Sequence, residues 1–203
     1  IPMCGLPYHA AGTYIARLLD AGQKIAVCEQ TVMPVGGKGI AEREVVQIIT
    51  PGTVVDEDYL DKSTNNYLTA IGESAGSVSL SSIDLSTGEL RATLFPTEER
   101  LEGVRRELQR LGSREILVQE SMLESDAAIE RLLNDSDRIM INRFPDWDFD
   151  VETSAEKLLS QLSVSNLKGF GVNEETEGAL LSVGVLLDYV ADTQKSLLPH
   201  ITD

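Results

Sequence analysis

With 203 residues, 42% of them hydrophobic and 25% charged, the chain has the balance of a folded globular protein and enough length for one large or two small domains. No stretch approaches the roughly 18 consecutive apolar residues of a membrane helix, and Ile1-Pro2-Met3-Cys4-Gly5 has neither the basic start nor the apolar core of a secretion signal. A formal charge of −16 argues against a nucleic-acid-gripping surface for the chain as a whole, but the charge is unevenly spread. Residues 1–52 hold four basic and four acidic side chains, so the entire excess lies in 53–203. Phosphate repels such a surface, and two electrostatic characters predict two domains. A chain that opens on Ile1 rather than Met is expected to begin within a longer protein. Cys4 and Cys28 are too few for a disulfide framework, and their apolar neighbours predict buried free thiols in a reducing, cytoplasmic compartment. His9 is the one nearby third ligand, which is a weak metal pattern.

In chain order, a helix is predicted over 9–21 with Ile15, Leu18 and Leu19 on one face, stopped by Gly22. Residues 24–28 read as a short buried strand, 34–39 as a glycine-rich loop, and 44–49 as a β-branched strand ended by the Pro51-Gly52 turn. The acidic, polar run 53–63 reads as a linker. Strands follow at 67–71 and 77–85, then a hairpin loop at Ser86-Thr87-Gly88 and a returning strand over 89–95. Apolar parity switches between Val78/Leu80 and Ile83/Leu85, which predicts either a bulge or a strand buried on both faces. Pro96-Thr97 opens a helix carrying Leu101, Val104, Leu108 and Leu111, closed by Gly112. A strand over 115–119, a helix capped by Ser125 with Ile129, Leu132 and Leu133 inward, and a strand over 138–144 come next. Thr153-x-x-Glu156 has capping-box spacing and starts a helix burying Leu158, Leu159 and Leu162. A longer helix over 176–195 buries Leu180, Val183, Leu186, Leu187 and Val190. The fold class is α/β. Three meandering strands followed by αβαβα is the ribonuclease-H-like order, with the last two strands parallel to the first.

Little catalytic chemistry is legible. Gly36-Gly37-Lys38-Gly39 fails as a phosphate loop, because Val32 and Gly39 stand where a Gly and a Ser or Thr are needed. Two-metal nuclease chemistry needs converging carboxylates, yet the first strand of the second part has none and Asp84 stands alone on the next. Asp84 is expected to be solvated or to stabilise a turn. His9 and His200 lie near opposite ends of the chain, and no Gly-x-Ser-x-Gly occurs. The aromatic cluster from Phe144 to Phe149, around Trp147, is expected to pack in the core or at a domain edge rather than serve as a partner hot spot.

More specific are several longer stretches. Ile1-Pro2-Met3-Cys4-Gly5-Leu6-Pro7-Tyr8-His9 closely resembles a segment of the MutS family of DNA mismatch-repair proteins that reads Ile-Pro-Met-x-Gly-x-Pro-Tyr-His. Val27-Cys28-Glu29-Gln30, Lys38-Gly39, Glu42-Arg43, Ile49-Thr50-Pro51-Gly52-Thr53 and Asp84-Leu85-Ser86-Thr87-Gly88 are similar to the same family in the same order. So are Gly169-Phe170-Gly171-Val172, Asp192-Thr193-Gln194 and Leu198-Pro199-His200-Ile201.

The resemblance implies that 1–52 is the later half of a mismatch-binding domain and 53–63 a linker. It makes 64–190 a connector domain with a ribonuclease-H-like fold and no nuclease activity, and 191–203 the start of the lever and core region. It places the ATPase, with its ATP and magnesium, beyond Asp203, and the mismatch wedge, a Phe-x-Glu motif, ahead of Ile1. Neither activity is expected of this chain itself. Pro2, Met3, Lys38 and Arg43 match positions near DNA, although Glu44 stands where the family often has a basic residue. Glu156 and Lys157 match a helix at the docking surface for the partner MutL. The intact protein is expected to bind mispaired duplex as a homodimer. Rival readings are a metal-dependent ribonuclease-H-like hydrolase and a free-standing acidic interaction module.

Overall fold

The computed structural model describes residues 5, 7–32, 42–56, 65–74, 76–135, 139–194 and 201. Cys4, the glycine-rich loop at 34–39 and most of the acidic run 53–63 lie outside the described residues.

The first part is an antiparallel pair, β1 (Ile25–Val32) and β2 (Glu42–Ile49), with the helix α1 (Ala11–Asp20) on one side. Its core is small: Leu19, Ile49 and Val54 are buried, with Ile15, Ile25 and Val27 packed on them. Strand alternation explains one correction. Ile25 and Val27 face α1, so Ala26 and Cys28 between and beyond them face outward, and Cys28 is an exposed thiol rather than a buried one. The strand is thus longer and more exposed than the predicted short buried one. Leu18 also points to solvent, because Ile15 and Leu19, one turn apart, define the stripe that packs.

The second part is a five-stranded sheet in the order β5-β4-β3-β6-β7. The strands β3 (Tyr67–Ser74), β4 (Ser77–Asp84) and β5 (Glu89–Pro96) form an antiparallel meander. β6 (Glu115–Gln119) and β7 (Met140–Phe144) then run parallel to β3 on its other side. The predicted order of strands and helices is therefore present. β4 pairs without a register shift on both sides and is buried along nearly its whole length. The parity switch reflects burial on both faces, and no bulge is needed. Val78 and Leu80 look one way, while Ser79 and Ser81 share the parity of Ile83 and look the other.

Helices cover both faces. One carries α2 (Arg100–Leu111), α3 (Glu120–Ser125) and α4 (Ala127–Asn134), which place Val104, Leu111, Met122, Leu123, Ile129 and Leu133 against Ile71, Val78, Leu80, Ile116 and Val118. Gly112 ends α2 in the left-handed conformation (φ 62°), as its position predicts. The other face carries α5 (Val151–Leu162), a 3-10 stretch over Glu177–Ser182, and α6 (Val183–Thr193).

Three helix starts differ from expectation. Asp126, not Ser125, caps α4: its Oδ1 accepts from the amides of Ala128 and Ile129 at 2.8 and 3.3 Å, and Ser125 instead ends α3. Asp150, not Thr153, caps α5, accepting from the Thr153 amide at 2.8 Å, so Thr153 lies inside the first turn. The predicted helix at 176–195 is 3-10 in its first six residues, because Ser79 Oγ donates to the Ala179 carbonyl at 2.7 Å and meets Ser182 Oγ at 2.7 Å. Its five inward residues are all buried nonetheless.

Asp126 also accepts from Arg100 Nε at 2.6 Å, joining α4 to α2. Burial pushes its carboxyl pKa up, but the Arg100 guanidinium and the two amides outweigh this and hold it below the usual aspartate range. Replacing Asp126 with alanine is expected to cost about 1–2 kcal/mol in urea denaturation at neutral pH. Because the folded pKa is depressed, that difference is present above the ordinary aspartate pKa and shrinks as pH falls through the folded value. A cost independent of pH would mean that the carboxylate charge is not what stabilises this junction.

Candidate functional site

The outward face of α5 is the part of the fold that sequence reasoning assigns to a partner. Asp150 fixes where the helix begins, and Ser154, Leu158 and their neighbours fix which side is buried. Ser154 Oγ accepts from the Gly184 amide at 3.0 Å, seating α5 on α6 so closely that a Cβ at Gly184 would lie 2.5 Å from that oxygen. Glu156 is consequently exposed. Lys157, next to it, reaches across to Asp188 of α6 at 2.5 Å.

A second polar centre lies where the two parts meet. Glu115, at the start of β6, is 0% exposed, yet it is a carboxylate. Its Oε2 accepts from the Gly52 amide at 2.9 Å. Its Oε1 accepts from Asn142 Nδ2 at 2.8 Å and from the Tyr189 hydroxyl at 2.5 Å. Burial first, and the neighbouring carboxylate second, drive the Tyr189 pKa far upward, so its phenol stays protonated and donates. The turn that brings Gly52 in is closed by Thr50 and Thr53 hydroxyls 2.7 Å apart and gripped by Asn66, whose Nδ2 donates to the Pro51 carbonyl at 2.9 Å. A Cβ at Gly52 would come within 2.8 Å of Glu115 Cβ, so only glycine fits. Lys24 lies over the Tyr189 ring, and Arg114 pairs with Asp20 of α1 at 2.5 Å.

Pro2, Met3 and Lys38 lie outside the described residues. Arg43 is an exposed residue of β2 opposite Gln30, and Glu156 and Lys157 lie together on α5. Asp84 is the expected turn-holder, but buried rather than solvated: at 0% exposure its Oδ1 accepts from the Ser86 amide and hydroxyl at 2.9 and 2.6 Å. Alternation puts Asp84 on the face of Leu80 and Glu115 on the face of Leu117, so the sheet separates its two buried carboxylates. Among the described residues no three His, Cys, Asp or Glu side chains gather as metal ligands would. No helix there is long and apolar enough to cross a membrane. Sequence reading missed Glu115; the available signal was a charge at the head of Glu115-Ile-Leu-Val, a run too apolar for a solvated position.

A family model described as MutS domain II matches residues 66–202, and one described as MutS domain I matches residues 1–58. The chain belongs to the MutS family. Two of its relatives are called DNA mismatch repair protein MutS. That of Treponema denticola is 40% identical over 212 aligned residues, and that of Desulfosudis oleivorans 39% identical over 202. Both alignments cover 100% of this chain, which spans 24% and 22% of the two proteins. The hydrogen bond between the Gly52 amide and Glu115 joins a residue of one match to a residue of the other.

Substituting Glu115 by alanine removes the acceptor of the buried Gly52 amide, of the half-buried Asn142 amide and of the Tyr189 hydroxyl, and should destabilise the chain by about 3 kcal/mol. Glutamine keeps an acceptor at one oxygen only and should cost less. Chemical denaturation of both variants, with hydrogen exchange at the Gly52 amide, checks this; an unprotected amide in the wild type would remove the premise.

Proposed function

We propose that this chain is the recognition-and-connector portion of a DNA mismatch-repair protein. Its intact form binds mispaired duplex as a homodimer in the cytoplasm and recruits MutL in an ATP-dependent manner, through an ATPase domain with magnesium outside this chain. The observation that carries the reading is the match to MutS domains I and II over nearly the whole length. Within it we assign 1–52 to the later mismatch-binding domain and 53–63 to the linker. Residues 64–190 become a non-catalytic, ribonuclease-H-like connector, and 191–203 the entry to the lever and core. Support for the connector fold is the β5-β4-β3-β6-β7 order, with an antiparallel meander and two parallel strands.

Charge supports a division of labour. The acidic second part repels phosphate, which suits a domain that docks a protein and relays its position rather than one that grips DNA. Pro2, Met3, Lys38 and Arg43 are the DNA-proximal residues in this reading, and Glu156 and Lys157 belong to the MutL surface. Lys157 is already held by Asp188, so Glu156 is the freer of the two and the cleaner one to reverse.

Calorimetric titration with the ATP-binding half of the cognate MutL is expected to show saturable binding, weakened about tenfold or more by Glu156→Lys, which corresponds to about 1.4 kcal/mol. Binding unchanged by that reversal would remove α5 from the docking surface. In gel-shift or anisotropy titrations, matched and mismatched duplexes should bind this chain weakly and alike. A mismatch preference would show that residues other than the wedge read the lesion.

A further inference from the structure

Trp147 is the only tryptophan in the chain, and it is 82% exposed, contrary to the packed position its aromatic neighbours predict. The mount is rigid. Trp147 is the middle residue of a 3-10 turn, Asp146–Asp148, closed by the Asp148 amide to the Pro145 carbonyl and the Phe149 amide to the Asp146 carbonyl, each at 3.1 Å. Asp146 Oδ1 accepts from the Ser121 amide at 3.2 Å, tying the turn to α3. Directly after it, Phe149 is buried against β3, so close to Gly72 that a Cβ there would meet its ring at 2.4 Å. A large ring held outward on a fixed turn loses little freedom on binding, which is the property of an interface anchor.

Beside this turn opens a cleft of about 280 Å³ lined by Phe144, Asp148, Val185, Asp188, Ala191 and Asp192. Phe144, edge-on to Tyr189, gives it an aromatic wall. Asp188 is neutralised by Lys157, whereas among the described residues Asp148 and Asp192 have no cationic partner. An exposed indole, a phenyl wall and two unpaired carboxylates complement a cation carried on an apolar stem. Phosphate is repelled here, so nucleic acid does not fit, and a second copy of a chain at −16 meets like charge.

We propose that Trp147 and the adjoining cleft form a docking site for a basic, arginine-bearing segment of a separate partner protein. The guanidinium would stack on the indole while Asp148 and Asp192 accept its N–H groups. This does not rest on the mismatch-repair reading.

Because Trp147 is the sole tryptophan, its fluorescence reports on the site. The whole chain is titrated with a short peptide containing two arginines between leucines, and with the same peptide carrying glutamates instead. The arginine peptide should give a saturable change whose Kd rises about tenfold between roughly 50 and 300 mM salt. The glutamate peptide should give none. Asp148→Asn with Asp192→Asn should raise the Kd about tenfold while circular dichroism stays unchanged. Trp147→Ala, with binding read by anisotropy of a labelled peptide, should abolish it. No saturable change with wild type, equal response to both peptides, or salt-insensitive binding would overturn the proposal. A fluorescence change that tracks chain concentration without peptide would also overturn it, in favour of self-association.

Discussion

Glu115 stands at the first position of a strand whose five residues are all buried, and a carboxylate placed there costs several kcal/mol unless its lone pairs are occupied. They are occupied by groups from three places: the Gly52 amide from the end of the first part, Asn142 from the neighbouring parallel strand, and Tyr189 from the helix above. The geometry of the turn at Thr50–Thr53, the pairing of β6 with β7 and the seating of α6 are therefore conditions on one another. Among the described residues the first part has three buried apolar side chains, Leu19, Ile49 and Val54. It is joined to the second part by this carboxylate, by Asn66 on the Pro51 and Val54 carbonyls and by Gln194 on the Ile48 carbonyl, with Lys24 over Tyr189 and the exposed Arg114–Asp20 pair at the rim.

The sheet itself explains why the two helix layers differ. On the α2–α4 face, β3, β4 and β6 present Ile71, Val78, Leu80, Ile116 and Val118, and ordinary apolar packing holds the helices there. On the other face β4 presents Ser79 and Ser81 at 0% exposure, and those hydroxyls must be satisfied. Ser182 and the Ala179 carbonyl satisfy them, and the tighter 3-10 winding before α6 is what carries both groups down to the strand. A polar stripe in the core has thus been converted into a local change of helix type.

Much of this was legible in the residues. Strand order, the hairpin at Ser86-Thr87-Gly88, the αL stop at Gly112 and the inward leucines of α2 and α6 follow from periodicity and turn chemistry, which act within a few residues. The misses are long-range or depend on competition between neighbours. Asp126 won over Ser125, and Asp150 over Thr153, because a carboxylate one to three residues away in sequence reached the amides first. Cys28, Val45 and Val46 are exposed around the register shift between Val27 and Cys28, where Val46 has no partner in β1, and no local pattern reports where such a shift falls. Glu115 and Tyr189 are 74 residues apart, so their pairing is invisible until the fold brings them together.

The two carboxylates buried in the sheet stand on its opposite faces. Hydrolytic metal chemistry on such a sheet would need acidic groups converging on one side, free to bind cations. Asp84 Oδ1 accepts from the Ser86 amide and hydroxyl, which hold the hairpin between β4 and β5, while its Oδ2 is buried without a hydrogen-bond partner. Glu115 faces the other way and is filled by three donors. Each charge stabilises a connection, one within the meander and one between the two parts of the chain. Most of the other acidic side chains among the described residues are exposed, where they repel phosphate. The buried charge at Glu115 serves to hold the sheet in a fixed relation to the part beside it.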